Sequence, residues 1–221
     1  MKFKLTTKQV IRGLIHLLGI MMIGLGVTVL LRSTLGAGAW DTVVYNLRAF
    51  FRNVLSLDVT LGFVSFMINI TVLSYIMLYH RKLKFIFVLI PIFGVALAID
   101  FWDIIVLGDY SPEGVVIKLV FFVSGILILT LGLATVIVTK YPAMVFDELT
   151  LIFMKVFSIK SFFVARMFIE LTAILIATIL GFISNIGFGA VNLGSFILAL
   201  ILGPLIEIHI KYLTKLMKPL F

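Results

Sequence analysis

The chain has 221 residues, of which 62% are apolar and 13% charged, with a net charge of +8 and a mean hydropathy of +1.27. That leaves too little polar surface to coat a soluble globule, so the chain belongs in a bilayer. The basic residues gather at the ends of apolar runs instead of forming one stripe, which argues against nucleic acid as a partner. The lack of cysteine excludes disulfides and thiolate metal sites.

Apolar runs of about twenty residues, enough to cross about 30 Å of hydrocarbon, occur at 10–31, 59–79, 85–107, 115–138, 161–183 and 191–210. They predict six membrane-crossing helices. Short alternating segments of a membrane β-barrel are missing, so the predicted fold class is all-α, a polytopic helical bundle. Lys2, Lys4, Lys8 and Arg12 precede the first run, Arg81, Lys82 and Lys84 follow the second, Lys140, Lys155 and Lys160 follow the fourth, and Lys211, Lys215 and Lys218 follow the sixth. All fall on one side of a six-helix bundle, which the positive-inside rule makes cytoplasmic, with both termini. The basic start followed by Ala37-Gly38-Ala39 imitates a signal peptide, but the apolar segment is long for one and has a partner in mid-chain.

That partner is an internal repeat. Shifting residues 19–51 by 106 aligns Gly19 with Gly125, Gly26 with Gly132, Ala37 with Ala143, Asp41 with Asp147, Phe51 with Phe157 and two further identities, and sets Trp40 opposite Phe146. Each half, 1–110 and 111–221, reads as a long helix, a break with a short amphipathic helix, and two more long helices. Three crossings per half force the second copy to enter from the opposite face, so the expected arrangement is two inverted-topology repeats with broken or re-entrant segments in one integral membrane domain. The breaks are Ser33–Ala39, rich in small residues, and 139–144, where Pro142 stops a helix near Tyr141.

Asp41 and Asp147 then fall in the first turns of the short helices, where the helix dipole favours negative charge. They read either as helix-start charges or as groups flanking a pathway. Asp100 and Glu207 form a second acidic pair, related by a shift of 107, inside the third and sixth apolar runs. Carboxylates within a span are costly, roughly 3 kcal/mol at its centre, and usually face a cavity or partner. Arg166 and Glu170, four apart on the fifth helix, can pair on one face. Asn69, mid-helix, reads as an interhelical hydrogen-bonding group. Trp40 and Trp102 suit an aromatic belt or a pocket wall that stacks on a cation. His16, His80 and His209 lack metal-ligand spacing, and the glycines at 181, 187, 189 and 194 lack the strand and Lys-Ser/Thr ending of a phosphate loop.

The strings Leu35-Gly36-Ala37-Gly38-Ala39-Trp40-Asp41, Ile99-Asp100-Phe101-Trp102, Leu202-Gly203-Pro204-Leu205-Ile206 and Glu170-Leu171-Thr172-Ala173 resemble the YczE/YyaS/YitT family of bacterial polytopic membrane proteins, closest to its YczE branch. The resemblance covers nearly the whole chain and implies a carrier-like inner-membrane protein of unassigned substrate. The second break departs from that family's glycine-rich pattern, carrying Tyr141-Pro142-Ala143-Met144-Val145-Phe146-Asp147.

The expectation is therefore a secondary transporter or permease of a small solute, cationic or amphipathic and open to proton coupling. Asp41, Asp147, Asp100, Glu207, Trp40, Glu170 and Arg166 would line its pathway. The rival is a membrane scaffold that assists a partner. No Ser/His or HExxH constellation supports an enzyme, no cofactor or metal is expected, and the partners are the lipid bilayer and an unknown solute, with a homo-oligomer allowed.

Overall fold

The computed structural model describes residues 6–142 and 145–218. Lys2 and Lys4, and Ala143 and Met144 of the expected second break, lie outside the described residues. Among the described residues all regular structure is helical. The helices are α1 (Thr7–Ser33), α2 (Ala39–Asn53), α3 (Leu61–His80), α4 (Leu89–Asp100), α5 (Val115–Val138), α6 (Val145–Val156), α7 (Phe162–Ile183) and α8 (Leu193–Met217). Six segments are long and apolar enough to cross a membrane: α1, α3, a composite span Leu83–Val106 around α4, α5, α7 and α8. The protein is a polytopic helical membrane bundle.

Two predicted helices differ in detail. The expected span at 85–107 is composite, a 3-10 turn (Leu83–Val88), then α4, then a π-helical turn (Phe101–Val106). The last helix runs beyond residue 210 to Met217, and the four-residue spacing of Glu207 and Lys211, 2.8 Å apart, pairs opposite charges along that extension. Helix α5 stops at Val138, a few residues before Tyr141, because the ring of Pro142 would collide with the carbonyl of residue 138.

At the centre of the bundle α1 and α5 cross antiparallel. Gly19 meets Val136 and Gly132, Gly26 lies against the backbone of Leu129, Gly132 against Ile23, and Gly125 against Leu30. In lipid, helices associate through close packing more than through burial from water, and a missing side chain lets backbones approach. Gly26 illustrates this, since a Cβ there would overlap the Leu129 backbone. Thr28, Thr130 and Thr135 turn their hydroxyls to carbonyls four residues back, each at 2.8 Å, so the buried interface carries satisfied hydroxyls.

The antiparallel pair puts the two breaks at opposite ends. At one end α1 finishes in Thr34, and the chain passes through Gly36, whose φ of +132° and contact with the start of α8 admit only glycine. Gly194 donates its N–H to the Leu35 carbonyl (3.0 Å), Asn192 donates to the Thr34 carbonyl (3.0 Å), and the Ala37 N–H donates to Ser195 Oγ (3.2 Å). At the other end, which carries Lys140, Lys160 and Lys211, Arg12 donates to the Thr139 carbonyl. The Thr139 hydroxyl donates to Val136, so His16 Nδ1 donates to that hydroxyl, at 2.8 Å. We call these the loop end and the basic end.

Candidate functional site

Helix α2 has Gly38 as its N-cap, with no side chain to satisfy the first-turn N–H groups. Asp41, in that first turn, folds its carboxylate back over Gly38, where the positive end of the helix favours it. The helix packs along α7 and runs in the same direction. Ala39 and Val43 nest against Ala173, Ile174 and Ala177, while Asn46 and Asn53 reach the C-terminal end of α7. Helix α2 therefore starts inside the bundle, level with Glu170, about two turns into α7.

Helix α6 begins from the basic end, with Asp147 and Glu148 in its first turn. Its Val145 and Ile152 pack with Leu73, Ile76 and Ile92 of α3 and α4. The two short helices meet where Trp40 stacks on Phe146, ring centroids 4.5 Å apart and planes at 21°. The aromatic residues that the internal alignment sets opposite one another are thus in contact.

Beside this stack lies a cavity of about 560 Å³. Its walls are largely apolar, with Val27, Ile99, Leu129 and Leu198 deep inside and Phe162, Ile206 and Ile210 toward the basic end. Asp41, Asp147, Glu170 and Glu207 all line it, and Arg166 is the one basic residue among its described lining residues. Arg166 Nε donates to Glu170 Oε1 and its Nη1 to Asp147 Oδ1, both at 2.7 Å. The expected Arg166–Glu170 pair is therefore present, and it also ties α7 to α6. Glu170 is buried at 7% exposure, whereas Asp147 is exposed. The Asp41 carboxylate belongs to the same cavity wall as Glu170 and has no hydrogen bond or ion pair among the described residues.

Two neutral polar atoms are in the same position. Trp40 Nε1 and Asn69 Oδ1 are buried without a partner among the described residues, and both residues line the cavity. Asn69 was expected to bond across to another helix. Instead its amide nitrogen donates to the Ser65 carbonyl one turn back (2.8 Å), and its oxygen is left buried without a donor. A buried acceptor without a donor costs roughly 1–3 kcal/mol, which marks Asn69 as a residue whose partner is not part of the fold.

The remaining predicted pathway residues part company. Glu207 lies at the cavity's basic mouth, 67% exposed and ion-paired to Lys211 at 2.8 Å. Asp100 does not reach the cavity. It accepts from Thr60 Oγ1 (2.6 Å) and from the Gly62 N–H (2.7 Å), so it caps the start of α3. Of this expected pathway pair, Glu207 lines the cavity and Asp100 does not, because the Thr60 hydroxyl and the Gly62 N–H hold its carboxylate at the start of α3. Trp102 donates to the Met21 carbonyl (2.9 Å) and also lies away from the cavity.

Sequence reasoning missed the cluster that closes the loop end. Asp103 is 5% exposed and bonds Arg32 Nη2 at 2.6 Å, with Arg48 at 3.7 Å. Arg32 also donates to the carbonyls of Asp103, Gly108 and Tyr110. Asn46, fully buried, donates to Ala177 (2.7 Å) and Phe188 (3.1 Å) and accepts from the Ala190 N–H (3.0 Å). An acidic residue three positions after Asp100 in an apolar run was a readable signal. The π-helical turn that carries Asp103 at the end of its span was not.

Comparison with known proteins adds a family. The model of a family described as "Family of unknown function (DUF6198)" matches residues 10–211. The chain is similar to "Uncharacterized protein YyaS" of Bacillus subtilis (strain 168), 27% identical over 135 residues, a match that covers 61% of this chain and 64% of that protein. The match therefore spans less than two thirds of that relative's length. No solved structure matches the chain.

Proposed function

The chain belongs to the DUF6198 family of YyaS-like membrane proteins, and from its cavity we propose that it is a secondary transporter of a small solute in a bacterial inner membrane, neither an enzyme nor a scaffold. The observation that carries this reading is the Asp41 carboxylate, without a partner among the described residues, in the same cavity as Glu170, whose lining extends to Glu207 and Ile210 toward the basic end. A scaffold needs only outer helix faces. It has no use for an interior space lined by acidic groups, which is costly to keep in a bilayer.

The packing supports two inverted repeats as the framework. Under the 106-residue shift the contact of Gly26 with Leu129 becomes that of Gly132 with Ile23, and both occur. The contact of Gly19 with Val136 becomes that of Gly125 with Leu30, and again both occur. Such reciprocity is what a two-fold relation between two copies requires. Transporters of this kind place their sites where broken helices of the two repeats meet, and the Trp40–Phe146 stack marks that meeting point. With the basic end cytoplasmic, the cavity opens inward and the Arg32–Asp103–Arg48 cluster closes the outside. A proton on Asp41 would neutralise the unpaired carboxylate whenever the solute is absent, which couples the two movements.

The test is solute-dependent proton movement in proteoliposomes. The native protein gives a signal that Asp41→Asn abolishes while inserting normally. Equal signals from both would remove Asp41 from the mechanism.

A further inference from the structure

Proton coupling alone leaves the solute open, and the polar atoms of the cavity narrow it. The fold provides acceptors there and few donors. Asp41, Asp147 and Glu170 set three carboxylates against the single guanidinium of Arg166, two negative charges in excess when all are ionised. Arg166 is already held by Asp147 and Glu170, so it is not free to receive an anion. Glu207 is balanced locally by Lys211. Asp147 and Glu170 share one cation, and the Asp41 carboxylate is the one with no cationic partner among the described residues. Independently of the acids, Asn69 is 6% exposed, lines the same cavity, and keeps a buried Oδ1 without a donor.

These features fit a cation that brings its own N–H groups and an apolar body. A buried negative charge is stabilised by an opposite charge within hydrogen-bonding reach, and a bare amide oxygen by a donor. A metal ion would need converging ligands, and among the described residues no group of three or more His, Asp or Glu is placed to hold one. The rest of the wall is aliphatic and aromatic, including the stacked Trp40 and Phe146, and about 560 Å³ accommodates a body of drug-like size.

We propose that the cavity binds a protonated primary or secondary amine with an apolar, preferably aromatic, body, its ammonium group donating to Asp41 and to Asn69 Oδ1. This rests on the carrier reading for its physiological meaning, but binding can be tested without it. Trp40 Nε1 offers one further donor, suited to a hydroxyl or carbonyl on the amine's body. A quaternary ammonium satisfies the charge of Asp41 but leaves Asn69 unpaired, so it ranks below the primary amine.

The experiment is calorimetric titration of the purified full chain in detergent at neutral pH. The four probes share one body: 2-phenylethylammonium, its trimethylammonium analogue, neutral 2-phenylethanol and anionic 3-phenylpropanoate. The primary amine binds most tightly. Asp41→Asn weakens it roughly 10- to 100-fold, as loss of a charge-assisted bond does, and leaves the alcohol unchanged. Asn69→Leu weakens the primary amine and narrows its advantage over the trimethyl analogue. Asp58→Asn, in an exposed loop, changes nothing. Alcohol or carboxylate binding as tightly as the amine, amine binding unaffected by Asp41→Asn, or no binding by the folded native chain would each overturn the proposal. The probe series on the native chain decides even if a variant fails to fold. Protein-dependent counterflow of labelled 2-phenylethylammonium in vesicles separates the two readings. Binding without movement overturns the carrier and leaves the amine site, whereas movement of the alcohol with no preference for the amine overturns the site and leaves the carrier.

Discussion

The two ends of the bundle are built from different bonds. At the loop end the short helix α2 is clamped along α7 by Asn46 and Asn53, the break before it is tied to α8 through Leu35, Ala37 and Thr34, and Asp103 gathers Arg32 and Arg48. At the basic end α6 rests on α3 through an apolar cluster and the His80–Glu148 contact (2.8 Å), and its Asp147 is shared with Arg166 beside the cavity. Buried hydrogen bonds in low dielectric hold the loop end in a single register, whereas at the basic end α6 is held by apolar contacts and by ion pairs closer to solvent, which fix it less tightly. On the proposed repeat, the two breaks are finished differently, one tied down by hydrogen bonds and the other set beside the cavity. A carrier that alternates would exchange these roles.

Five substitutions sharpen or break that contrast. The largest effect is expected from Asn46→Leu, which removes three hydrogen bonds and leaves the Ala190 N–H without its acceptor, while the Ala177 and Phe188 carbonyls keep only their backbone partners. The loss is about 3 kcal/mol, read as a drop in the chemical-denaturation midpoint in detergent. The matching change at the basic end, Ile152→Val, costs about 1 kcal/mol, and equal losses at the two sites would contradict the contrast. Asp103→Asn strips the counter-charge from Arg32, which is partly exposed, so about 2 kcal/mol is expected. In a thiol-accessibility experiment it should open the loop end to a membrane-impermeant reagent at an introduced Val27→Cys. Continued protection there would show that Asp103 does not close that end. Arg166→Gln frees Asp147 and Glu170 and should lower stability by about 1 kcal/mol, and on the proposed carrier function it should also abolish solute movement in proteoliposomes. The smallest effect belongs to Glu207→Gln, whose exposed pair with Lys211 contributes little, so thermal stability should not move. A strong transport defect there with unchanged stability would place Glu207 in the pathway itself.

Composition alone determined the solvent, because 62% apolar residues cannot be hidden from water in 221. Run length determined the six spans, because a bilayer requires about twenty apolar residues per crossing and the uninterrupted helix satisfies its own backbone. The Arg166–Glu170 pair was equally legible, since a spacing of four places both on one helix face. The tertiary structure decided what local pattern cannot encode. Asp100 and Asp41 are both acids near breaks in apolar helices, yet one caps α3 through Thr60 and Gly62 and the other faces a cavity without a partner. Asn69 turned its amide along its own helix and left its oxygen unpaired. Which neighbour meets a polar side chain depends on how helices far apart in sequence cross, and in this bundle that crossing is set by glycines on α1 and α5 that let two backbones touch.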